Sequence, residues 1–440
     1  MRDVLSAAIG KSVRQLARLR GGGGSALPGL VVERLDPGFL ARVLGRLPYG
    51  VVAVSGTNGK TTTTKMVVEM LEAHGLRVFT NRTGSNFTRG VIAAALQECD
   101  RRGRLSADIA VLELDEAHAM HFIARVRPRF TLLLNVLRDQ LDRFGEIDTT
   151  AKLLRRIAEA TSEGLVVNRE DPLLAAIGRD ASARIDVRAF GLSDDLRALF
   201  PSDDDFHGGS AATTATDAAT MPADVTLVEV GDHAAAFRIG DERFATTLRL
   251  EGLYNLFNAA AALALVRAVL AAGPSVSGAE PATDPAPAAL VAALADVRPA
   301  FGRGEQLTLD GQPLELVLVK NPAGFRLALV SFDPAGVATM IAINDQYADG
   351  RDMSWLWDVD FGSLAGGGVD TVSGTRAWDM ALRLEHDDVP TGHVEEDLAR
   401  AFAEFRRRSE GTPRRIYCTY TAMLALRRHL AALTDVEEVW

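Results

Sequence analysis

Runs of consecutive apolar residues recur along the first part of the chain: YGVVAVSG at 49–56, IAVLEL at 109–114, FTLLLN at 130–135 and GLVVN at 164–168. A strand apolar on both faces is one buried between two layers. Between these runs the apolar positions take a helical spacing, at 60–74 (closed by Gly75), 91–99, 116–125 and 149–161. Short apolar strands alternating with helices predict a parallel sheet covered on both sides. Strand-like alternation resumes at 225–250 and leads into a helix at 255–272. Beyond about residue 297 a second series begins, with strands near 314–319, 337–343 and 369–373 and helices near 322–330, 376–385 and 419–432; this predicts a second α/β domain. Two stretches have no period. The acidic, small-residue segment 193–224 reads as an insertion, and 274–288, rich in Pro and Ala, as a linker. Residues 1–40 read as a helix at 3–19, a flexible Gly21–Ser25 run and a lead-in carrying Pro28 and Pro37.

Composition narrows this picture. At about 150 residues per domain, 440 residues make two or three domains. The net charge of -10 argues against a nucleic-acid partner, which would call for a basic face. Two cysteines, Cys99 and Cys418, exclude a disulfide framework and a four-cysteine zinc site, and suit a reducing compartment. Neither sits on a tight glycine-flanked turn that would present a nucleophile. The start of the chain lacks the apolar run of a signal peptide, and no stretch reaches the roughly 20 uninterrupted apolar residues of a membrane helix, so a cytoplasmic protein is expected. Arg14, Arg18 and Arg20 could touch a membrane surface, although a solvated helix is the plainer reading.

The chemistry enters at GTNGKT, 56–61, which follows a strand and opens a helix. Glycines at 56 and 59 let backbone N–H groups of Thr57 and Asn58 turn toward phosphate oxygens, and the helix N-terminus adds partial positive charge. Lys60 can reach the terminal phosphates, the Thr61 hydroxyl can ligate Mg²⁺, and Thr62 extends the polar run. A plain glycine turn would not call for a lysine and four threonines in succession. The spacing G-x-x-G-K-T is shorter than the general phosphate-loop pattern.

S-G-T-N-G-K-T-T-T resembles the ATP loop of the Mur ligase superfamily, which includes the folylpolyglutamate synthases. The resemblance implies a Mur-ligase-like central domain with a parallel sheet over 45–296, after a lead-in at 1–44, and a smaller Rossmann-like α/β domain over 297–440. It implies ATP and Mg²⁺ as cofactors, and phosphorylation of a carboxylate whose acyl phosphate an amine then attacks. Further matches follow in order. Glu113 stands where an acid holds magnesium; N-V-L-R-D-Q-L-D-R-F-G at 135–145 carries Gln140 where many members have histidine; Lys152 stands where several members carry a carbamylated lysine for a second magnesium. N-R-E-D-P at 168–172 resembles N-x-D-D-P, and in G-L-Y-N-L-F-N at 252–258 the resemblance puts Asn255 on the nucleotide. Arg303 is implied to contact nucleotide or acyl phosphate, and the Arg351–Asp352 pair to face the ribose.

Within the superfamily, V-K-N-P-A-G-F (319–325), N-D-Q-Y-A-D-G-R-D-M-S-W-L-W-D (344–358), S-G-T-R-A-W-D-M-A-L-R-L (373–384) and Y-C-T-Y-T-A-M-L (417–424) resemble the MurT-type subunits of lipid II isoglutaminyl synthases. With only about 50 residues before the loop, the uridine-nucleotide domain of ligases that act on soluble precursors is not expected here, and the substrate is expected to be held differently. That likeness implies amidation of the D-glutamate α-carboxylate of lipid II to D-isoglutamine, at the inner face of the membrane. It also implies a heterodimer with a GatD-type glutaminase that releases ammonia. An aspartate of this chain would complete the partner's Cys–His pair; Asp349, Asp352 and Asp358 are all candidates, with Asp349 or Asp358 preferred. Trp355 and Trp357, two apart, are expected on one face of a strand, against either the partner or the core. MurT-type chains commonly carry a four-cysteine zinc ribbon; 193–236 holds no cysteine, and His207 and His233 do not replace it, so no structural zinc is expected. The rival expectations are a stand-alone amino-acid ligase and a nucleotide-binding scaffold without turnover.

Overall fold

The structure is a computed structural model describing residues 2–19, 27–81, 87–137, 147–197, 221–231, 234–249, 253–276, 286–297, 303–332 and 334–436. Gly21–Ser25, Gln140, His207, His233 and most of the 193–224 and 274–288 segments lie outside these residues. The chain divides into two compact units. The first comprises Met1–Val136, Asp148–Arg249 and Asn255–Val297; the second comprises Leu137–Ile147, Leu250–Tyr254 and Arg298–Trp440.

In the first unit the apolar runs become central strands because each can be covered on both faces. β1 (Val51–Ser55), β3 (Ile109–Glu113), β4 (Phe130–Leu133) and β5 (Gly164–Asn168) are buried at every position. With β2 (Val78–Thr80), β6 (Asp186–Leu192), β7 (Val225–Val230), β8 (Ala234–Ile239) and β9 (Glu242–Thr247) they make a nine-stranded sheet ordered β2-β3-β1-β4-β5-β6-β7-β8-β9. Pairing is parallel from β2 to β7, and β7, β8 and β9 continue as an antiparallel meander. β1 is the point where the chain reverses its direction of travel across the sheet: β2 and β3 lie on one side of it and β4 on the other. In open α/β sheets, ligands bind outside the carboxyl ends of the strands at such a point.

Around the sheet run α1 (Arg2–Leu19), α2 (Leu27–Leu35), α3 (Phe39–Leu44), α4 (Lys60–Ala73), α5 (Thr88–Glu98), α6 (Glu116–Ile123), α7 (Ile147–Ala160), α8 (Pro172–Ala181), the short α9 (Asp194–Arg197), α10 (Leu253–Ala272) and α11 (Pro287–Ala295). α1 is anchored to the rest of the unit: a side chain at Gly10 would run into Leu96, and Asp3 pairs with Arg42 at 2.8 Å and Arg46 at 2.5 Å. α10 is long and apolar enough to cross a membrane, but 78% of that stretch is buried inside the fold, as a core helix requires.

The second unit holds β10 (Arg303–Leu309), β11 (Gln312–Leu318), α12 (Pro322–Ser331), β12 (Ala338–Ala342), β13 (Val369–Ser373), α13 (Ala377–His386), β14 (Thr391–Glu395), α14 (Leu398–Arg408), β15 (Arg414–Cys418) and α15 (Tyr420–Leu430). Its sheet is ordered β10-β11-β15-β12-β13-β14, parallel except for the β10–β11 hairpin. Trp355 and Trp357 correct the strand expectation. They lie in a 3₁₀ turn, Ser354–Asp358, where residues two apart point in different directions. Trp355 packs into the core near Phe325, while Trp357 is 48% exposed, edge-on to His386 and beneath the guanidinium of Arg383.

Candidate active site

The loop between β1 and α4 sits at the switch point. Gly56 (φ +133°) and Gly59 (φ +83°) both take conformations that side chains disfavour. Gly59 also has no room for one: an added Cβ would lie 2.7 Å from Asn258 Oδ1 and 2.8 Å from its Nδ2. Asn258, from α10, therefore closes against the bare α-carbon of the loop.

Two of the sequence motifs turn out to hold this loop in shape. Asn135, beyond β4, is a clamp: its Oδ1 accepts from Asn58 N–H at 2.8 Å, its Nδ2 donates to the Asn58 carbonyl at 3.1 Å, and its carbonyl accepts from Thr57 N–H at 3.0 Å. Asp171 caps α8 by accepting from Leu173 and Leu174 N–H, and takes Val136 N–H at 2.7 Å. Asn168 donates to the Leu134 carbonyl at 3.1 Å. The 135–137 and 168–171 residues thus fix the backbone that the loop leans on.

The charged groups are unusually enclosed. Lys60 is 8% exposed; its Nζ donates to the Gly56 carbonyl at 2.5 Å and the Thr57 carbonyl at 3.3 Å. It also meets both carboxylate oxygens of Glu116, at 3.3 and 3.4 Å, and Glu116 is itself 3% exposed. Glu113 is buried at the end of β3, level in the sheet with Val54 of β1, and its backbone N–H and carbonyl are both held by the Asn81 side chain, at 3.0 and 2.9 Å. The Thr62 and Thr64 hydroxyls are buried without a hydrogen-bond partner among the described residues. Orphaned hydroxyls at the start of α4, a buried lysine and a hard carboxylate at the end of the strand next to β1 form a donor set that suits a polyphosphate with Mg²⁺.

The other predicted residues divide. Asn255 lies half-buried near the start of α10, three residues before Asn258. Lys152 is exposed on α7, and no described contact joins it to Glu113 or the loop. Arg303 begins β10, but its side chain lies outside the described residues. The three aspartates of the second unit differ sharply. Asp349 is 2% exposed and turned inward: Thr421 N–H and hydroxyl donate to it at 2.7 and 2.5 Å, and Gln346 N–H at 3.1 Å. Burial holds its carboxyl above the usual aspartate range, the hydrogen bonds from Thr421 and Gln346 opposing. Asp352 is exposed; hydrogen bonding from the Ser354 hydroxyl and, next, from Ser354 N–H at 2.9 Å holds its carboxyl below that range. Asp358 is exposed beside Trp357, and no described hydrogen bond engages its carboxylate. Cys99 and Cys418 are buried, and burial pushes the Cys99 thiol up.

Sequence reasoning missed Glu116 and Asn258. A glutamate in the first turn of a helix passes for a dipole partner, whereas Asn258 was signalled by the second asparagine of the 252–258 motif.

Residues 54–266 match the family model described as Mur ligase middle domain, and residues 318–423 the model described as MurT ligase C-terminal. The chain is 28% identical over 447 aligned positions to a lipid II isoglutaminyl synthase (glutamine-hydrolyzing) subunit MurT of Streptococcus pneumoniae, covering 95% of this chain and 94% of that one. A Staphylococcus aureus protein of the same description is 27% identical, covering 92% of each. Among solved structures, a MurF ligase from Thermotoga maritima in complex with ADP shares the fold, with a TM-score of 0.64 at 17% identity over 89% of this chain and 81% of that one.

Proposed function

Since the chain belongs to the Mur ligase superfamily and joins a Mur ligase middle domain to a MurT-type C-terminal domain, as ATP-dependent ligases of that kind do, we propose that it is the synthetase subunit of a lipid II isoglutaminyl synthase. It uses ATP to activate the α-carboxylate of D-glutamate in lipid II and passes the acyl phosphate to ammonia, giving D-isoglutamine. The work takes place in the cytoplasm at the inner face of the membrane, with a GatD-type glutaminase as the second subunit.

The observation that carries the reading is the built phosphate cradle at the switch point, with Lys60 enclosed in it. The N–H groups of Thr57 and Asn58, expected to face phosphate, are instead held by Asn135, so the remaining N–H groups of the 56–61 loop bind the phosphates, and Lys60 neutralises the terminal one as it is transferred. Thr61 and Glu113 would hold a Mg²⁺ ion, which supplies charge neutralisation across the phosphates; Lys152, if carbamylated, would support a second. Asn255, Arg303 and Asp352 bind and orient the nucleotide. Both cysteines are buried, which supports a source of ammonia on another protein. Of the three aspartates, Asp358 is the exposed one without a local engagement, which supports giving it the role of fixing the partner's histidine.

The test is reconstitution of the purified chain with the glutaminase, ATP, Mg²⁺, glutamine and lipid II. The expected outcome is amidated lipid II and one ADP per amide only when both proteins are present. ADP formed with a free amino acid as nucleophile and no partner would instead identify a stand-alone ligase.

A further inference from the structure

Arg383, on α13, is 5% exposed, and its guanidinium is spent on the segment that carries Asp358. Its Nε donates to the Leu356 carbonyl at 3.2 Å and its Nη2 to the Val359 carbonyl at 2.5 Å, two acceptors that bracket Asp358 along the chain. Nη1 pairs with Asp387 at 2.5 Å, and the other oxygen of Asp387 accepts from Phe361 N–H at 2.8 Å. The same guanidinium lies 5.4 Å from the centre of the Trp357 ring and 5.5 Å from that of Phe361. A second arginine, Arg326 of α12, donates to the Asp358 carbonyl itself. Three carbonyls of one short turn are thus each held by an arginine side chain from a flanking helix. Enclosing a charge is costly unless it is paired and hydrogen-bonded. A planar fork that meets two carbonyls at once fixes their separation and direction, as a lysine's single point charge cannot.

We propose that Arg383 is a positioning residue for the partner's hydrolysis of glutamine: by clamping the carbonyls of Leu356 and Val359 it sets the direction in which the Asp358 carboxylate leaves the surface. This rests on the reading above that gives Asp358 the partner's histidine. Asp358 is exposed, and no described hydrogen bond engages its carboxylate, so the backbone on either side of it is what aims it. A carboxylate that selects a histidine tautomer has to meet one ring nitrogen in line. A misplacement of about 1 Å arising away from the reacting atoms can cost about 10²-fold in rate. Arg383 touches none of the reacting atoms. It acts through the turn, and Asp387 in turn keeps the guanidinium in place while holding the chain at Phe361.

The test uses the reconstituted complex and two variants of the full chain, each first checked for folding by thermal unfolding. Arg383→Lys keeps a charge for Asp387 but cannot span both carbonyls, whereas Arg383→Met removes every hydrogen bond; should the Met variant not fold, the Lys variant carries the test alone. Glutamine-dependent amidation is expected to fall about tenfold in Arg383→Lys and about 10²-fold in Arg383→Met, in kcat rather than in KM for glutamine. Amidation from added ammonium salts should stay within about twofold of wild type, since that route bypasses Asp358. Combining Arg383→Lys with Asp358→Asn should lower the glutamine-dependent rate no further than Asp358→Asn alone, because both substitutions act on one carboxylate. A folded Arg383→Lys chain that keeps the glutamine route, or loses both routes equally, overturns the positioning role, as do effects that multiply in the double variant. If Asp358→Asn itself keeps the glutamine route, it is the reading of Asp358 that fails, and the role of Arg383 goes with it.

Discussion

The contact between Gly59 and Asn258 shows how narrow the site is at the level of single residues. At φ +83°, with Asn258 Oδ1 2.7 Å from where a Cβ would stand, Gly59→Ala must both strain the backbone and push α10 away from the loop. The expected result is a loss of about 1–3 kcal/mol in stability and at least a tenfold loss in ADP affinity, read by thermal unfolding and calorimetry. A variant that folded and bound ADP normally would show that the loop adopts another shape when occupied. The sequence pointed to this glycine through its motif, but not to its partner. Packing against a residue so distant in the chain is a tertiary fact, and the 252–258 motif carried only the hint of a second asparagine.

At the scale of elements, periodicity identified what the sheets bury and missed what their margins do. β1, β3, β4 and β5 were legible because burial on both faces leaves a continuous apolar signature. β14 reads TGHVE and lies at a sheet edge with no buried position, so it offers no such run. The turn 344–349 is the more instructive case. Three hydrogen bonds converge on Asp349 and tie this turn to the N-terminus of α15. Asp349→Ala leaves Thr421 and Gln346 N–H groups without their acceptor, and is expected to cost about 1–3 kcal/mol in urea unfolding. Since burial raises the native pKa of Asp349 above 3.8, its contribution is greatest below pH 3.8 and declines as pH rises through the native value. Asp349→Asn should remove that decline, seen by comparing unfolding midpoints of the two proteins across the acid range. An unchanged pH profile would mean the carboxylate is better hydrated than its burial implies.

At the scale of the whole molecule the phosphate loop and the candidate cross-subunit aspartates fall in different units. The first carries the phosphate loop, and the second presents Asp358 and Trp357 at its surface. If Asp358 serves a glutaminase, its loss must separate two activities of the complex. Asp358→Asn is expected to lower glutamine-dependent amidation by about 10³–10⁴-fold, as a wrong histidine tautomer does, while leaving amidation from added ammonium salts near wild type. Equal loss of both would place the residue in the synthetase reaction instead. What no reading of motifs could supply is which of the three aspartates is exposed with its carboxylate engaged by no described hydrogen bond, because Asx turns and inward-turned carboxylates use the same letters. One further consequence belongs to time rather than geometry. Asn258 follows Gly59 by about 200 residues, so at roughly 5–20 residues per second a ribosome delivers the helix that closes the loop some 10–40 seconds after the loop itself. Until then the nascent chain holds a phosphate motif with an open side, and nucleotide, abundant as it is in a cell, can stabilise the fold only after α10 has arrived.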